Sequence, residues 1–384
     1  MSEQRPISPP VSDRLDDAAA AGEGRFAHLD ALKALAIFFV CCYHFSLLGD
    51  VGYRANPSLW RVVQNALIGV NSVGVPLFFM VNGALLLTRP FDLKKHLLRM
   101  LTLALQFLFW RAVTILVLAG SVGFDWSGYG KAGFLNAFLL LQNVPGVNLS
   151  HLWFLPTLLS LYLIAPVLIL GTREHSGVTA LLLITIAALS FLPNAITALQ
   201  HAFPALMYLN FSALSVFNPF AVLVGPMTFY FLLGGLMQRN LERWRALPLA
   251  LPVAVFLAGM LLLCGTWFVE SRFYDANWDQ VWGGYTSFGT PLMAAALFAL
   301  AARVPQRVYR LNCVANTLRL VGDNTLAVYY LHWILHYACG CALVALLPAR
   351  GFFINGGKAL LQVLLLSLLG AALKRVPVVR RLLR

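Results

Sequence analysis

HLDALKALAIFFVCCYHFSLL, residues 28–48, decides how the rest of the chain is read. Between Lys33 and His44 run ten residues with nothing more polar than Cys or Tyr. A helix needs about 20 apolar residues to cross about 30 Å of hydrocarbon, and this stretch has that length. Arg25 flanks it, and it runs too long for the apolar core of a signal peptide, so it reads as a retained membrane helix. At about 100° per residue, Asp30, Lys33, Ile37, Cys41 and His44 fall within about 80° of one another. Lys33 and His44 are almost in line, with a rise of about 16 Å between them. Ionisable groups are expensive in hydrocarbon and usually face a bundle interior or a wet cavity. The stripe therefore links one face of the membrane to a deep histidine.

The same reading extends in both directions. Of 384 residues, 60% are hydrophobic and 11% charged, against roughly 25% charged in soluble domains. A protein that apolar cannot cover its surface in water, so its solvent is lipid. Further segments meeting or approaching the spanning criterion are 67–88, 99–120, 151–171, 176–192, 216–237, 248–269, 284–302, 323–347 and 356–374. The run 132–142 is too short to span and reads as an interfacial or re-entrant helix. The expected fold is an all-α membrane protein, a polytopic bundle of about ten transmembrane helices spanning residues 26–375. Residues 1–25 are rich in Pro, Ser, Asp and Ala and read as a disordered cytoplasmic tail, and 376–384 as a basic cytoplasmic tail.

The net charge of +13 is spread in short clusters between apolar segments, the pattern that orients membrane helices rather than one that grips nucleic acid. With both termini in the cytoplasm, the inside holds Arg5, Arg14, Arg25, Arg89, Lys94, Lys95, Arg99, Arg173, Arg239, Arg243 and Arg245. It also holds Arg303, Arg307, Arg310, Arg319, Lys374, Arg375, Arg380, Arg381 and Arg384. The outside is left with Arg54, Arg61, Lys131, Arg272, Arg350 and Lys358. Every cytoplasmic loop then obeys the positive-inside rule. No internal repeat is evident, which disfavours inverted-repeat transporter folds.

Several residues are candidates for chemistry or binding. Asp30, Lys33 and His44 share one face of the first helix. Lys94, Lys95, His96 and Arg99 spread over two helical turns, where a phosphate-rich cytosolic ligand can meet them. Arg111 lies too deep to snorkel and needs a buried partner. His151 and Trp153 open the fourth expected helix at the outer interface, where Trp153 reads most simply as a membrane anchor. His332 falls near mid-membrane, in a segment with Asp323 or Asn324 as its helix cap. His332 and His336 are four residues apart, but there is no HExxH and no third ligand, so no metal is expected. The six cysteines show no disulfide framework.

Together these segments resemble the membrane-bound acyltransferase type 3 family, the O-acyltransferases of bacterial surface glycans and related acceptors. Lys33 and His44 match the family's basic residue, ten residues, then His on the first helix. FFMVNGALLL (78–87) is similar to its second-helix motif, with Asn82 where the family has Ser. LKKHLLRML (93–101) resembles the basic stretch that follows, with His96-x-x-Arg99 in place of Arg-x-x-Arg. HLWFL (151–155) and VYYLHWIL (328–335) are similar to later motifs. The resemblance covers about residues 26–375. It implies a ten-helix enzyme of the bacterial inner membrane that takes acyl-CoA, by default acetyl-CoA, as donor. The acceptor it implies is a hydroxyl of a glycan or a hydroxylated small molecule. On this reading Lys33 and the basic loop hold the phosphates of coenzyme A at the inner mouth. His44 is then a general base on the acceptor hydroxyl, or it accepts the acyl group itself. Two rivals stand beside it. Intramembrane Lys, Arg and His also suit a transporter or flippase for a glycolipid or small solute. A sensor or scaffold without chemistry would survive His44→Ala.

Overall fold

The computed structural model describes residues 26–46, 58–121, 123, 125–128, 130–139, 144, 147, 149–173, 176–207, 224–273, 279, 281–338 and 352–383. The expected tail 1–25, residues 47–48, 216–223 and 339–347 of the expected spans, and residues 140–142 of the short run lie outside these. Among the described residues every regular element is a helix. The long ones are α1 (Ala27–Ser46), α2 (Leu59–Gly69), α3 (Gly74–Leu86) and α4 (Leu93–Ser121), followed by the short α5 (Gly130–Phe138). A 3-10 turn, Val70–Val73, joins α2 to α3, and another, Ser150–Trp153, leads into α6 (Phe154–Arg173). Then come α7 (Ser176–Ala202), α8 (Val224–Arg239), α9 (Leu241–Ala246) and α10 (Ala250–Phe273). The chain closes with α11 (Gly289–Arg303), α12 (Gln306–Tyr309), α13 (Asn312–Ala338), α14 (Phe352–Leu373) and α15 (Pro377–Leu382).

Seven of these stretches are long and apolar enough to cross a membrane: Ala27–Phe45, Val62–Leu86, Leu93–Ser121, Ser150–Thr172, Gly177–Ala202, Ala250–Arg272 and Phe353–Leu373. The other three expected spans map onto helices that fall short for identifiable reasons. Only Val224–Arg239 of the span 216–237 is described, and Gly289–Arg303 is apolar but short. Helix α13 is long enough, but Asp323, Asn324, His332 and His336 dilute its apolar character. It also begins at Asn312, so Asp323 and Asn324 lie inside the helix and cap nothing; Asn324 Nδ2 instead donates to the Leu320 carbonyl one turn back (2.7 Å). The short run near 132 is helical over Gly130–Phe138, a length that cannot span.

Helix α1 is the centre of the bundle, packed by α3, α11, α13 and α14. Ala36, Ile37 and Cys41 have no exposure at all, which places its polar stripe against protein instead of lipid. Around this core the outward residues are long and apolar: Leu163, Val167 and Leu170 on α6 are 67%, 72% and 69% exposed. Unbroken apolar belts of this kind are not stable against water and mark the lipid-facing wall. Close helix approach supplies the packing that a hydrophobic drive between lipid-solvated helices cannot. On α3, a methyl added at Gly83 would overlap the Phe231 carbonyl of α8, and one at Gly234 would overlap the Met80 carbonyl. The two glycines thus let the backbones of α3 and α8 touch.

The segment after residue 375 does not hang free. Helix α15 returns to α4, where Gln106 Nε2 donates to the Arg381 carbonyl (3.0 Å) and Trp110 Nε1 to the Leu382 carbonyl (2.9 Å). Leu383 is fully buried. Lys358, counted above among the outside charges, lies within α14 and is buried.

Candidate active site

The stripe on α1 opens into two cavities. The first, about 520 Å³, is lined by Lys33 from the N-terminal half of α1 and by Arg99, Thr102 and Gln106 from α4. Asp323, Tyr162 and the buried Leu383 complete its walls. Lys33 Nζ lies 3.1 Å from Asp30 Oδ1, so the ammonium is held beside the cavity by a partner one turn earlier. Asp30 itself is buried and faces a smaller neighbouring space with Arg319.

The second cavity, about 260 Å³, gathers the histidines. His44 from α1, His151 from the 3-10 turn before α6 and His332 from α13 all line it, with Trp153, Trp333 and Asn71. The ring centroids of His44 and His332 are 5.1 Å apart, those of His151 and His332 5.8 Å. Trp333 stacks on His151 at 4.9 Å and meets His44 edge-on at 4.6 Å. His332 Nδ1 lies 2.7 Å from the Tyr329 carbonyl and 3.1 Å from that of Val328. Carbonyl oxygens only accept, so Nδ1 carries the proton and Nε2 of the neutral ring is a lone pair. That Nε2, His44 Nδ1 and both ring nitrogens of His151 are buried without hydrogen-bond partners. Buried polar atoms are normally paired, so such a concentration marks a place built to meet a polar ligand.

Phe78, Phe154 and Tyr329 line both cavities and form the partition between them. Phe154 lies 5.8 Å from Phe78 and 5.6 Å from Tyr329 between ring centroids. The Tyr329 hydroxyl donates to the His151 carbonyl (2.8 Å), tying the partition to the histidine cluster. At the other wall, Tyr43 donates to Asp279 Oδ2 (2.5 Å) while Asp279 Oδ1 accepts the N–H groups of Val281 and Trp282. Trp282 then packs edge-on against Trp153 at 5.2 Å, so Trp153 turns into the cavity rather than anchoring the chain in lipid.

The remaining predicted residues lie elsewhere. Lys94 and Lys95 are exposed and line neither cavity. Asp92 caps α4 by accepting the Lys95 N–H (3.0 Å), a bond that holds the Asp92 carboxyl below the usual carboxylate range. His96 is buried, and its Nε2 donates to the Tyr162 carbonyl (2.8 Å), joining α4 to α6. The Tyr162 hydroxyl continues to Asn82 Oδ1 (3.0 Å) on α3. Arg111 finds its buried partner in the Ala137 carbonyl at the end of α5 (2.9 Å) and holds that short helix to α4. Asn71 and Trp333 were not singled out by the sequence. Asn71 left a signal, an amide within the apolar run ALIGVNSVGVPLFF, but a search for charged groups passes over it. Among the described residues no group of three His, Cys, Asp or Glu is placed to hold a metal ion.

Fold and cavities together define a multi-pass membrane protein whose polar centre is enclosed by helices. Over residues 26–373 the chain matches the acyltransferase domain of the acyltransferase 3 family, nearly its whole length, and it belongs to that family. The protein is therefore a membrane acyltransferase, as the motifs on α1, α3, α4 and α13 indicated. No curated protein and no solved structure matches it.

Proposed function

We propose that this protein transfers an acyl group, acetyl by default, from cytosolic acyl-CoA to a hydroxyl of a cell-surface or exported glycan at the bacterial inner membrane. One observation carries the reading: Lys33 and His44 share a face of α1 and open into two adjoining cavities that meet at Phe78, Phe154 and Tyr329. With the N-terminal end of α1 toward the cytoplasm, Lys33 and Arg99 meet the anionic phosphates of the donor, which favour paired cationic side chains. The acylated arm reaches past the aromatic partition to present its thioester beside His44. The acceptor enters from the opposite side, among Trp153, Trp282 and Tyr285, whose faces suit a sugar ring.

In the histidine cavity a neutral imidazole takes the proton of the acceptor hydroxyl as its oxygen attacks the thioester carbon. General-base help of this kind is worth about 10²–10⁴-fold. Direct acylation of His44 followed by transfer uses the same geometry. The test is mass spectrometry of surface glycans from cells with and without the gene. Loss of an acyl mass supports the reading; identical glycan spectra, with the protein present in the wild-type membrane, reject it.

A further inference from the structure

Asn71 belongs to the 3-10 turn between α2 and α3, is 2% exposed, and lines the histidine cavity. Neither atom of its side-chain amide has a hydrogen-bond partner. A buried unpaired amide destabilises the fold, so a residue of this kind needs a reason outside folding. The turn that carries it is tightly held. Ser72 Oγ and Thr290 Oγ1 are bonded at 3.0 Å, and a methyl at Gly284 would press on Ser72 Cβ. On the other side Gly74 abuts the α1 backbone at Ala36 and Val40, and Val40 lines the same cavity one turn before His44. The backbone that carries Asn71 is thus held in place while its amide is unused.

The other polar groups around the cavity are largely committed. The Tyr43 hydroxyl is spent on Asp279, the Tyr329 hydroxyl on the His151 carbonyl, and His332 Nδ1–H on the Tyr329 carbonyl. The histidines are needed as lone pairs for the proton. An amide N–H never titrates and stays a donor throughout a reaction.

We propose that Asn71 is a catalytic residue of acyl transfer, donating its Nδ2–H to the carbonyl oxygen of the acyl thioester and to the oxyanion formed from it. The proposal rests on the acyl-transfer reading above. The acceptor oxygen bonds to the thioester carbon as its proton passes to a histidine nitrogen, and the carbonyl electron pair moves onto the oxygen that Asn71 faces. When that pair returns, the C–S bond breaks, and the thiolate leaves with the proton. A rigid donor aimed at developing charge needs no reorganisation at the moment of reaction.

The test compares purified, membrane-reconstituted wild type, His44→Ala, Asn71→Ala and Asn71→Asp, using radiolabelled acetyl-CoA and envelope glycan from cells lacking the gene. Asn71→Asp keeps the shape and the accepting oxygen but loses the N–H. Both Asn71 variants should lose about 10²–10³-fold in kcat, the usual effect of deleting one such donor, with KM for acetyl-CoA unchanged. Asn71→Ala should unfold at the same temperature as wild type or higher, since no partner is orphaned. Wild-type kcat in either variant overturns the proposal, and should Asn71→Ala fail to fold, Asn71→Asp decides alone. Wild-type protein that acylates no envelope glycan would reject the acyl-transfer reading and this role with it. An inactive His44→Ala beside an active Asn71→Ala rejects the role of Asn71 only.

Discussion

His44 and His332, on helices far apart in the chain, bring their imidazole rings to 5.1 Å between centroids in one cavity. Only His332 has its tautomer fixed by backbone carbonyls, leaving its Nε2 as an acceptor. The two rings are not hydrogen-bonded to each other: His44 Nδ1 and His332 Nε2 are both buried without partners. Catalytic hydrogen bonds are often long before substrate binds and tighten in the complex.

His44→Ala should therefore lower kcat by about 10²–10⁴-fold, the range for losing a general base. Donor binding should survive, because Lys33 lies about 16 Å away along α1. His332→Ala and His151→Ala should reduce turnover less, since each leaves His44 in place. Acyl transfer measured beside coenzyme A binding, on the same purified variants, checks this. Near-normal transfer by His44→Ala would sink the mechanism.

The proposed donor site allows a sharper comparison among basic residues. Lys33 and Arg99 line the larger cavity, whereas Lys95 is 73% exposed on its side chain and paired with Asp92 at 3.3 Å. Lys33→Ala and Arg99→Ala should each raise the apparent Kd for acyl-CoA by about tenfold, close to 1.4 kcal/mol. Lys94→Ala and Lys95→Ala should change it little, because exposed ion pairs and solvated charges contribute weakly. Titration calorimetry of the four variants would reveal equal effects if charge alone, rather than position, mattered.

Much of this site was legible because its cause is local. An offset of eleven positions from Lys33 to His44 fixes their relation on any α-helix, and the membrane makes each of them conspicuous in an apolar run. What the sequence hid depends on tertiary approach. His96 stands in the same basic run as Arg99, yet the rotation of α4 points it inward to the Tyr162 carbonyl. Trp153 looks like an interfacial anchor until Trp282, far along the chain, is packed against it. Asp323 and Asn324 look like a helix start because they interrupt apolar residues, but α13 begins a full three turns earlier at Asn312. Asn71 carries no charge, and only the absence of partners in the folded protein sets it apart.

Stability should depend on the contact of α3 with α8. Gly234→Leu would force a branched side chain onto the Met80 backbone, which has no flexible atom to yield. Overpacking typically costs about 1–3 kcal/mol, and a backbone clash more. Thermal unfolding in detergent should show Gly234→Leu well below wild type. Substitution at Gly357, where an added methyl meets nothing within 4 Å, should leave the transition in place.

Topology is open to a direct check. If α4 enters from the cytoplasm, a cysteine placed at Lys95 should react with a membrane-impermeant maleimide only after the cells are broken. Labelling of intact cells would invert the bundle and detach the basic mouth from the cytosolic donor.

The aromatic partition should set the length of the acyl group. Phe154 is at the centre of it, packed on Phe78, Phe79 and Tyr329, with Phe79 at 4.8 Å between centroids. The histidine side offers about 260 Å³; if acceptor and acyl chain share it as proposed, a longer chain has to displace a ring. Phe154→Leu shortens the side chain while keeping it apolar, and volume lost in a packed interior is only partly recovered by relaxation. On the proposed route, the space released lies where the acyl tail passes. A methylene in an apolar pocket is worth about 1–3 kcal/mol of discrimination, so the preference for acetyl over butyryl donors should fall by about tenfold or more. The measurement is the ratio of kcat/KM for acetyl-CoA and butyryl-CoA in wild type and Phe154→Leu, with Leu163→Ala on the lipid-facing side of α6 as a control. An unchanged ratio in Phe154→Leu, with activity retained, would mean that the acyl group does not cross between the cavities at this point. The route from Lys33 to His44 would then have to run elsewhere.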